Sequence, residues 1–376
     1  FFSVLMAFFS LLLLTFIVLI CVGLTKVISS AVGADELTIL VGLVVFVFGY
    51  TMFGGANSMV YTNAIQAVLM IVVAIILLTS GYEHFSGGLD SFWAKVEAID
   101  PNMSLSFNES SPLFRDWFEV IFCNFIVGIA IVCQPHIITR SLMLKSDEDV
   151  NKYLTVAIIV ETLFFFVLFA GFYARFMFPD LMKDGIALKM DGILSAYVVK
   201  KFSIGTGIIV IMGLIAAGLS TLEGIVQSLS TTITNDIIAP FSGLDEQSKK
   251  LPVINKIVII VLGILSVLIS YQQLLYPNLS VGILAQNGVY AFFSAAFVPV
   301  LFGIFIKDTP KQAAIGAAIT AIIVHFSVYY GQLTPYTSGT VRNPAVAATL
   351  AIISAVMVGL LLWFILRKKA KPVVAT

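Results

Sequence analysis

Long apolar runs, broken at irregular intervals by short polar clusters, organise the 376-residue chain. A run of about eighteen or more apolar residues crosses a bilayer as a helix at about 1.5 Å per residue. The pattern predicts about ten such helices, over roughly 3–31, 37–53, 59–82, 117–140, 151–177, 204–238, 252–274, 280–306, 312–331 and 343–366. The second is short for a full crossing and is expected to be little tilted or partly re-entrant. Polar clusters separate them: FGGAN at 53–57, the stretch 86–112, LKSDED at 144–149, SGLDEQSKKLP at 242–252, YPN at 276–278 and KDTPK at 307–311. These read as loops within one transmembrane domain. Residues 87–98 and 191–201 have the pattern of short amphipathic helices lying on an aqueous face.

One predicted helix breaks the apolar rule in its middle. In AAGLSTLEGIVQSLSTTITNDI (216–237), Ser220, Glu223, Gln227, Thr231 and Thr234 recur at helical spacing on one face, and Thr221, Gly224, Ser228, Thr232 and Asn235 form the adjoining row. Unpaired polar groups in hydrocarbon cost several kcal/mol each, so this stripe must face protein or water. Serine and threonine alone are explained by bonds back to their own helix. A carboxyl inside a span is not, and Glu223 is therefore expected to mark a functional position, with a buried neutral or paired carboxyl as the alternative. Hydroxyl and backbone oxygens are the hard ligands that a small monovalent cation needs once it sheds water. Glu161, the other carboxyl deep in an apolar segment, is expected to pair with a neighbouring helix, and Arg175 lies on its face near the helix end. In CQPHIITR (133–140), Pro135 removes a backbone donor, and Gly128 lies about two turns earlier, so the fourth span should be kinked or locally unwound.

Composition sharpens the class. With 59% hydrophobic and only 11% charged residues, and a mean hydropathy of +1.04, a soluble core is excluded. Twenty-one basic residues balance twenty-one acidic ones, which leaves no excess charge to attract nucleic acid. Cys21, Cys123 and Cys133 all lie in apolar segments without metal-ligand spacing. The three histidines are scattered, and the hydrolase and nucleotide-binding motifs are missing, so no enzyme is read here. The first residues carry neither an initiator methionine nor a signal-peptide pattern, and Phe1 is read as lying within a longer gene product. The basic tail LRKKAKP (366–372) falls on the same side as Lys307, Lys311, Lys249, Lys250, Arg140, Lys145 and Lys152. That side is cytoplasmic by the positive-inside rule, which puts both chain ends in the cytoplasm of a multi-pass cell-membrane protein.

Four segments then resemble one group, the sodium/solute symporter family of proline, pantothenate, monocarboxylate and sugar carriers. They are YTMFGGANSMVYTNAIQ (50–66), CQPHIITR (133–140), AAGLSTLEGIVQSLSTTITNDI (216–237) and AAFVP (295–299). The resemblance covers essentially the whole chain. It implies an all-α polytopic membrane protein of leucine-transporter type, with inverted repeats and with substrate and sodium near mid-membrane. About ten transmembrane helices are present, and the first core helices are missing. By position, 1–82 would be the remainder of the first repeat, 83–116 an extracellular loop, 117–306 the second repeat and 307–376 additional C-terminal helices.

The resemblance also implies roles. Ser220 and Thr221, with the backbone carbonyl of Ala217, match the family's sodium ligands. Asn63, Glu223 and Gln227 lie along the cation path, and Val127, Gly128, Ile131 and Tyr290 stand at substrate positions. Two departures matter. The family's aspartate in its aromatic–Thr–Asp motif is Asn63 here, which suggests that the carboxylate has moved across the path to Glu223. Bulky aromatics of the proline carriers correspond to Val127 and Ile131, which favours a small organic acid such as pantothenate or a monocarboxylate as the imported solute. Proline, other amino acids or a sugar are the alternatives within the family, and a solute-sensing membrane domain is the alternative of another class. The expected partners are sodium as coupling ion, a small solute and the lipid bilayer.

Overall fold

The computed structural model describes residues 2–53, 56–134, 137–138, 144–245, 247–276, 280–306 and 308–367, the side chains of 56–61 and 190 aside. Gly54, Gly55, Pro135, His136, Arg140, Lys307 and the basic tail beyond Arg367 lie outside them. Nine helices among the described residues are long and apolar enough to cross a membrane. In chain order the helices are α1 (Phe2–Val32), α2 (Glu36–Phe53), α3 (Ala56–Thr79), α4 (Gly88–Ile99), α5 (Phe118–Cys133) and α6 (Asp147–Met177). They continue as α7 (Ile193–Lys201), α8 (Ile204–Ser242), α9 (Leu251–Leu275), α10 (Val281–Phe305), α11 (Lys311–Tyr330) and α12 (Pro344–Arg367). A two-stranded hairpin, β1 (Met182–Lys183) with β2 (Ile186–Ala187), lies in the loop before α7.

The predicted spans reappear with one difference: the fourth is a short helix of mixed pitch over Phe118–Cys133. The second is a regular helix over Glu36–Phe53. The amphipathic helices expected over 87–98 and 191–201 are α4 and α7. Large apolar side chains such as Val45, Ile65, Ile158, Leu268 and Leu361 are more than half exposed. A water-soluble chain would bury that surface; a bilayer solvates it.

Two cores hold the bundle. In the larger, α1 and α2 pack against α8 and α9, and α10 joins α1 to the hairpin of α11 and α12. In the smaller, the amphipathic faces of α4 and α7 close over the ends of α3, α6 and α8, with Phe92, Tyr173 and Tyr197 buried among them. Ser80 and Tyr197 share a hydrogen bond of 2.8 Å there, so the buried phenol is satisfied. Small residues set the closest approaches. A β-carbon at Gly213 would meet Val73 Cγ2 at 2.3 Å, and one at Gly218 would meet Leu24 Cδ2 at 2.6 Å. Glycine at those two positions lets α3 and α1 lie directly on the backbone of α8.

Candidate functional site

The middle of α8 carries the polar stripe. Ser220 Oγ and Thr221 Oγ1 both donate to the carbonyl of Ala217, each at 3.1 Å. Three oxygens therefore meet within one turn. Each hydroxyl spends its single proton on the carbonyl and keeps its lone pairs, which is the state in which it can serve as a cation ligand. Such back-bonding is also the ordinary resting place of a helical hydroxyl, and Thr51, Ser266 and Ser294 do the same on α2, α9 and α10.

What separates this turn from those is its surroundings. Glu223 is 3% exposed, and among the described residues its Oε2 has no hydrogen-bond partner. Asn63 Oδ1 and Gln66 Oε1 on α3 are buried without partners as well. The helices α3 and α8 run antiparallel, with Val73 against Gly213. Seven residues back along α3 and seven forward along α8 bring Gln66 level with Ser220; ten bring Asn63 level with Glu223. On α1, with Leu24 against Gly218, the fully buried and unpartnered Thr25 hydroxyl lies near the level of Ala217. Buried polar atoms are ordinarily paired, so four oxygens without partners among the described residues, spread between the levels of Ala217 and Glu223, mark a place suited to a ligand that brings positive charge. The donor set is hard oxygen throughout, which fits a monovalent cation. Thr25 is not singled out by sequence, whereas Gln66 closes the 50–66 segment that carries the family resemblance, three residues after Asn63.

Beyond this depth the stripe opens. Gln227 is half-buried and its carbonyl accepts from Ser230 Oγ at 3.2 Å. Thr234 is buried and donates to Asn255 Oδ1 at 3.2 Å, whereas Thr231 and Asn235 are exposed. The helix widens into a π-turn over Ile233–Ile238.

The interrupted helix is α5. It begins as a π-turn over Phe118–Cys133's first residues, Phe118–Cys123, runs as α-helix over Asn124–Ala130, and tightens to a 3-10 turn at Ile131–Cys133. Gln134 is then extended, with ψ 135°, and its buried side-chain oxygen has no partner among the described residues. The break thus falls between the two residues, Gly128 and Pro135, whose spacing predicts it. Val127 is 4% exposed and sits in the main core, while Gly128 and Ile131 lie on the exposed face of α5. Tyr290 is half-buried on α10, which packs against α5, and its ring lies 5.1 Å from that of Phe293. Val127 and the pair Gly128/Ile131 therefore face different surroundings. Glu161, expected to pair with another helix, instead lies on the exposed face of α6, and Arg175 turns to the helix end, donating to the Pro179 carbonyl at 2.6 Å.

Sequence reasoning missed a second buried carboxyl at the entrance of α5. Glu119, 0% exposed, accepts from the Arg115 backbone N–H at 2.8 Å and from Asn343 Nδ2 at 2.8 Å, and Arg115 Nη1 lies 3.5 Å away. Next to it Tyr336 donates to Asp116 Oδ2 at 2.6 Å, and Thr349 donates to the Cys123 carbonyl at 3.3 Å. This cluster straps the start of α5 to the loop before α12. The four-residue spacing of Arg115 and Glu119 is the one trace of it in the sequence.

A family model described as the sodium:solute symporter family matches residues 2–322. The sodium/pantothenate symporter of Escherichia coli (strain K12) is 26% identical over 312 residues, which cover 81% of this chain and 61% of that protein. The sodium/sialic acid symporter SiaT of Proteus mirabilis (strain HI4320) is 23% identical over 307 residues, covering 80% and 61%. The high-affinity proline transporter PutP of Bacillus subtilis (strain 168) is 23% identical over 304 residues, covering 77% and 59%. The chain thus spans about three-fifths of the length of these relatives. Among solved structures, a Na+-coupled sialic acid symporter in a substrate-bound outward-open state superposes with a TM-score of 0.69 at 21% identity, over 96% of this chain and 74% of that one. The likeness is one of fold, and it is the nearly all-helical, leucine-transporter-type architecture expected above. A match that runs from the first described helix into α11 makes the chain a member of the sodium:solute symporter family.

Proposed function

We propose that the protein is a sodium-coupled secondary transporter that imports a small organic solute. The observation that carries this reading is the set of oxygens on neighbouring turns of α8: Ala217 O, the Ser220 and Thr221 hydroxyls, and Glu223 Oε2, which has no partner among the described residues. Sodium bound at Ala217, Ser220 and Thr221 would be balanced by Glu223, with the neutral Asn63 and Gln66 opposite on α3. Gln227 would continue the path toward the open end of the stripe. An inward sodium gradient then drives solute uptake, because ion and solute together favour the state that opens inward.

The repeat boundaries of this reading are 1–82 and 117–306, separated by the outer loop 83–116 and followed by the added helices of 307–376. The pairing of α1 and α2 with α8 and α9 supports it. With the short α5 counted as a crossing beside the nine long helices, both ends of the chain would lie on one face, the face of Lys249, Lys250, Lys311 and Arg367, which is cytoplasmic under this proposal.

For the solute we favour a small organic acid, pantothenate or a monocarboxylate. Gly128 and Ile131 lie on the exposed face of α5, and neither is aromatic. The test is uptake by proteoliposomes of the intact gene product, offered labelled pantothenate, short monocarboxylates or proline with and without a sodium gradient, beside Ser220→Ala. Sodium-driven uptake of one acid, abolished by the substitution, is the expected result. Solute binding without uptake in any arm would favour a sensor instead.

A further inference from the structure

On the side of α2 and α9 turned away from the stripe, a groove of about 430 Å³ runs between the two helices. Its walls include Val41, Phe48, Gly49, Ile260, Ile264 and Leu268, all apolar. The helices are antiparallel here. Gly263 faces Phe48 and Val44, and Lys256 faces Phe53. From Val41 to Met52 the groove follows eleven residues of α2, about 16 Å at 1.5 Å per residue. That is close to half of a hydrocarbon core about 30 Å thick, the depth of one leaflet. Gly49 forms part of the floor: a β-carbon there would meet nothing within 4 Å.

One end of the groove is charged. Lys256 lies one helical turn before Ile260, and its Nζ sits 5.0 Å from the centroid of the Phe53 ring, one residue beyond Met52. The aromatic face holds the ammonium at the mouth of the groove. Among the described residues no carboxylate pairs with it, and Lys249 and Lys250 stand at the same end of α9. An apolar trough of one leaflet's depth, open along its length and ending at an unpaired cation, matches the shape and charge of a single lipid.

We propose that this groove is a binding site for an anionic phospholipid of the leaflet on the Lys256 side, with one acyl chain lying between α2 and α9 and the phosphate on Lys256. The site is separate from the cation path and stands whichever solute is carried. Because α2 and α9 pack on α1 and α8, a lipid wedged there fixes the block against which the ion-binding helix is held.

The test is native mass spectrometry of the delipidated protein titrated with phosphatidylglycerol or with phosphatidylcholine of the same chains. Phosphatidylglycerol should be retained preferentially. Lys256→Gln, a change at an exposed side chain, should weaken its retention about fivefold, the worth of about 1 kcal/mol for one lysine near an anionic surface, and leave phosphatidylcholine unchanged. Gly49→Leu should fill the trough and lower retention of both lipids. A phosphatidylglycerol preference that survives both substitutions overturns the proposal. So does a dimer of the unmodified protein that Gly49→Leu dissociates, since the groove would then belong to a second copy of the chain.

Discussion

Among the described residues two glutamates are buried inside this bundle, and their surroundings are opposite. Glu119, at the entrance of α5, has both carboxylate oxygens engaged by Arg115 and Asn343. Glu223, in the middle of α8, has an oxygen with no partner among the described residues, and Asn63, Gln66 and Thr25 show the same deficit at nearby depths. A satisfied buried charge holds structure, and removing its partners is costly; an unsatisfied one is tolerated where a ligand supplies the missing charge. Under the proposed function, this difference places Glu119 in the scaffold and Glu223 on the transport path.

The largest expected effect separates the two by stability. Glu119→Ala leaves the Arg115 backbone N–H and the Asn343 amide without their acceptor and the Arg115 guanidinium without its counter-charge, and should cost about 3–5 kcal/mol, read as a fall in the unfolding midpoint of the purified protein. Glu223→Gln should leave that midpoint unchanged or raised in the absence of sodium, because it removes an uncompensated buried charge. A matching loss of stability in both variants would erase the comparison.

The next effect is functional. Glu223→Gln should raise the sodium concentration for half-maximal uptake about tenfold or more, as expected when a charge-assisted contact of about 1.5–3 kcal/mol is lost. An unchanged sodium requirement would mean that the carboxylate has no part in holding the ion.

A smaller effect sharpens the scaffold side. The Tyr336 hydroxyl bonded to Asp116 holds that carboxyl below its usual range, and the same contact pushes the Tyr336 hydroxyl up to about 12. A depressed carboxyl contributes stability above its unfolded pKa, about 3.9, and loses it as pH falls through the lower folded value. The raised phenol contributes below its unfolded pKa, about 10, and loses it as pH rises through about 12. The strap is thus constant across the neutral range. Tyr336→Phe should cost about 1 kcal/mol there and flatten the acid limb of the stability profile below about pH 4. An acid limb of unchanged shape would assign that sensitivity to another group.

The smallest effect is at the surface. Lys201 pairs with Glu83 across the loops that cap the smaller core, in a setting open to water. Lys201→Ala should shift stability by about 0.5 kcal/mol at most, and less in high salt.

The bundle was legible because bilayer chemistry writes itself as apolar runs, and α4 and α7 because their faces alternate at helical period. The stripe on α8 was legible for the converse reason, since polar residues inside such a run are costly enough to stand out. Local pitch was not. The π-turn at Phe118–Cys123 depends on Asn124 Nδ2 donating back to the Val120 carbonyl at 2.9 Å, and the 3-10 turn at Leu11–Leu13 precedes Thr15, which reaches the Ala285 carbonyl 270 residues away. Glu119 escaped because its partner Asn343 is distant in sequence, and at the edge of a span a glutamate reads as loop. Glu161 misled in the other direction: an apolar run flags a carboxyl without telling which face of the helix is covered.

The central claim is that the α8 oxygens hold sodium, and equilibrium binding of radiolabelled sodium to the purified intact protein tests it most directly. The account predicts saturable binding that Ser220→Ala and Thr221→Ala abolish, that Glu223→Gln weakens, and that Tyr336→Phe leaves intact. Sodium binding of undiminished affinity in Ser220→Ala and Thr221→Ala would contradict it, and would leave the two hydroxyls as helix back-bonds and nothing more.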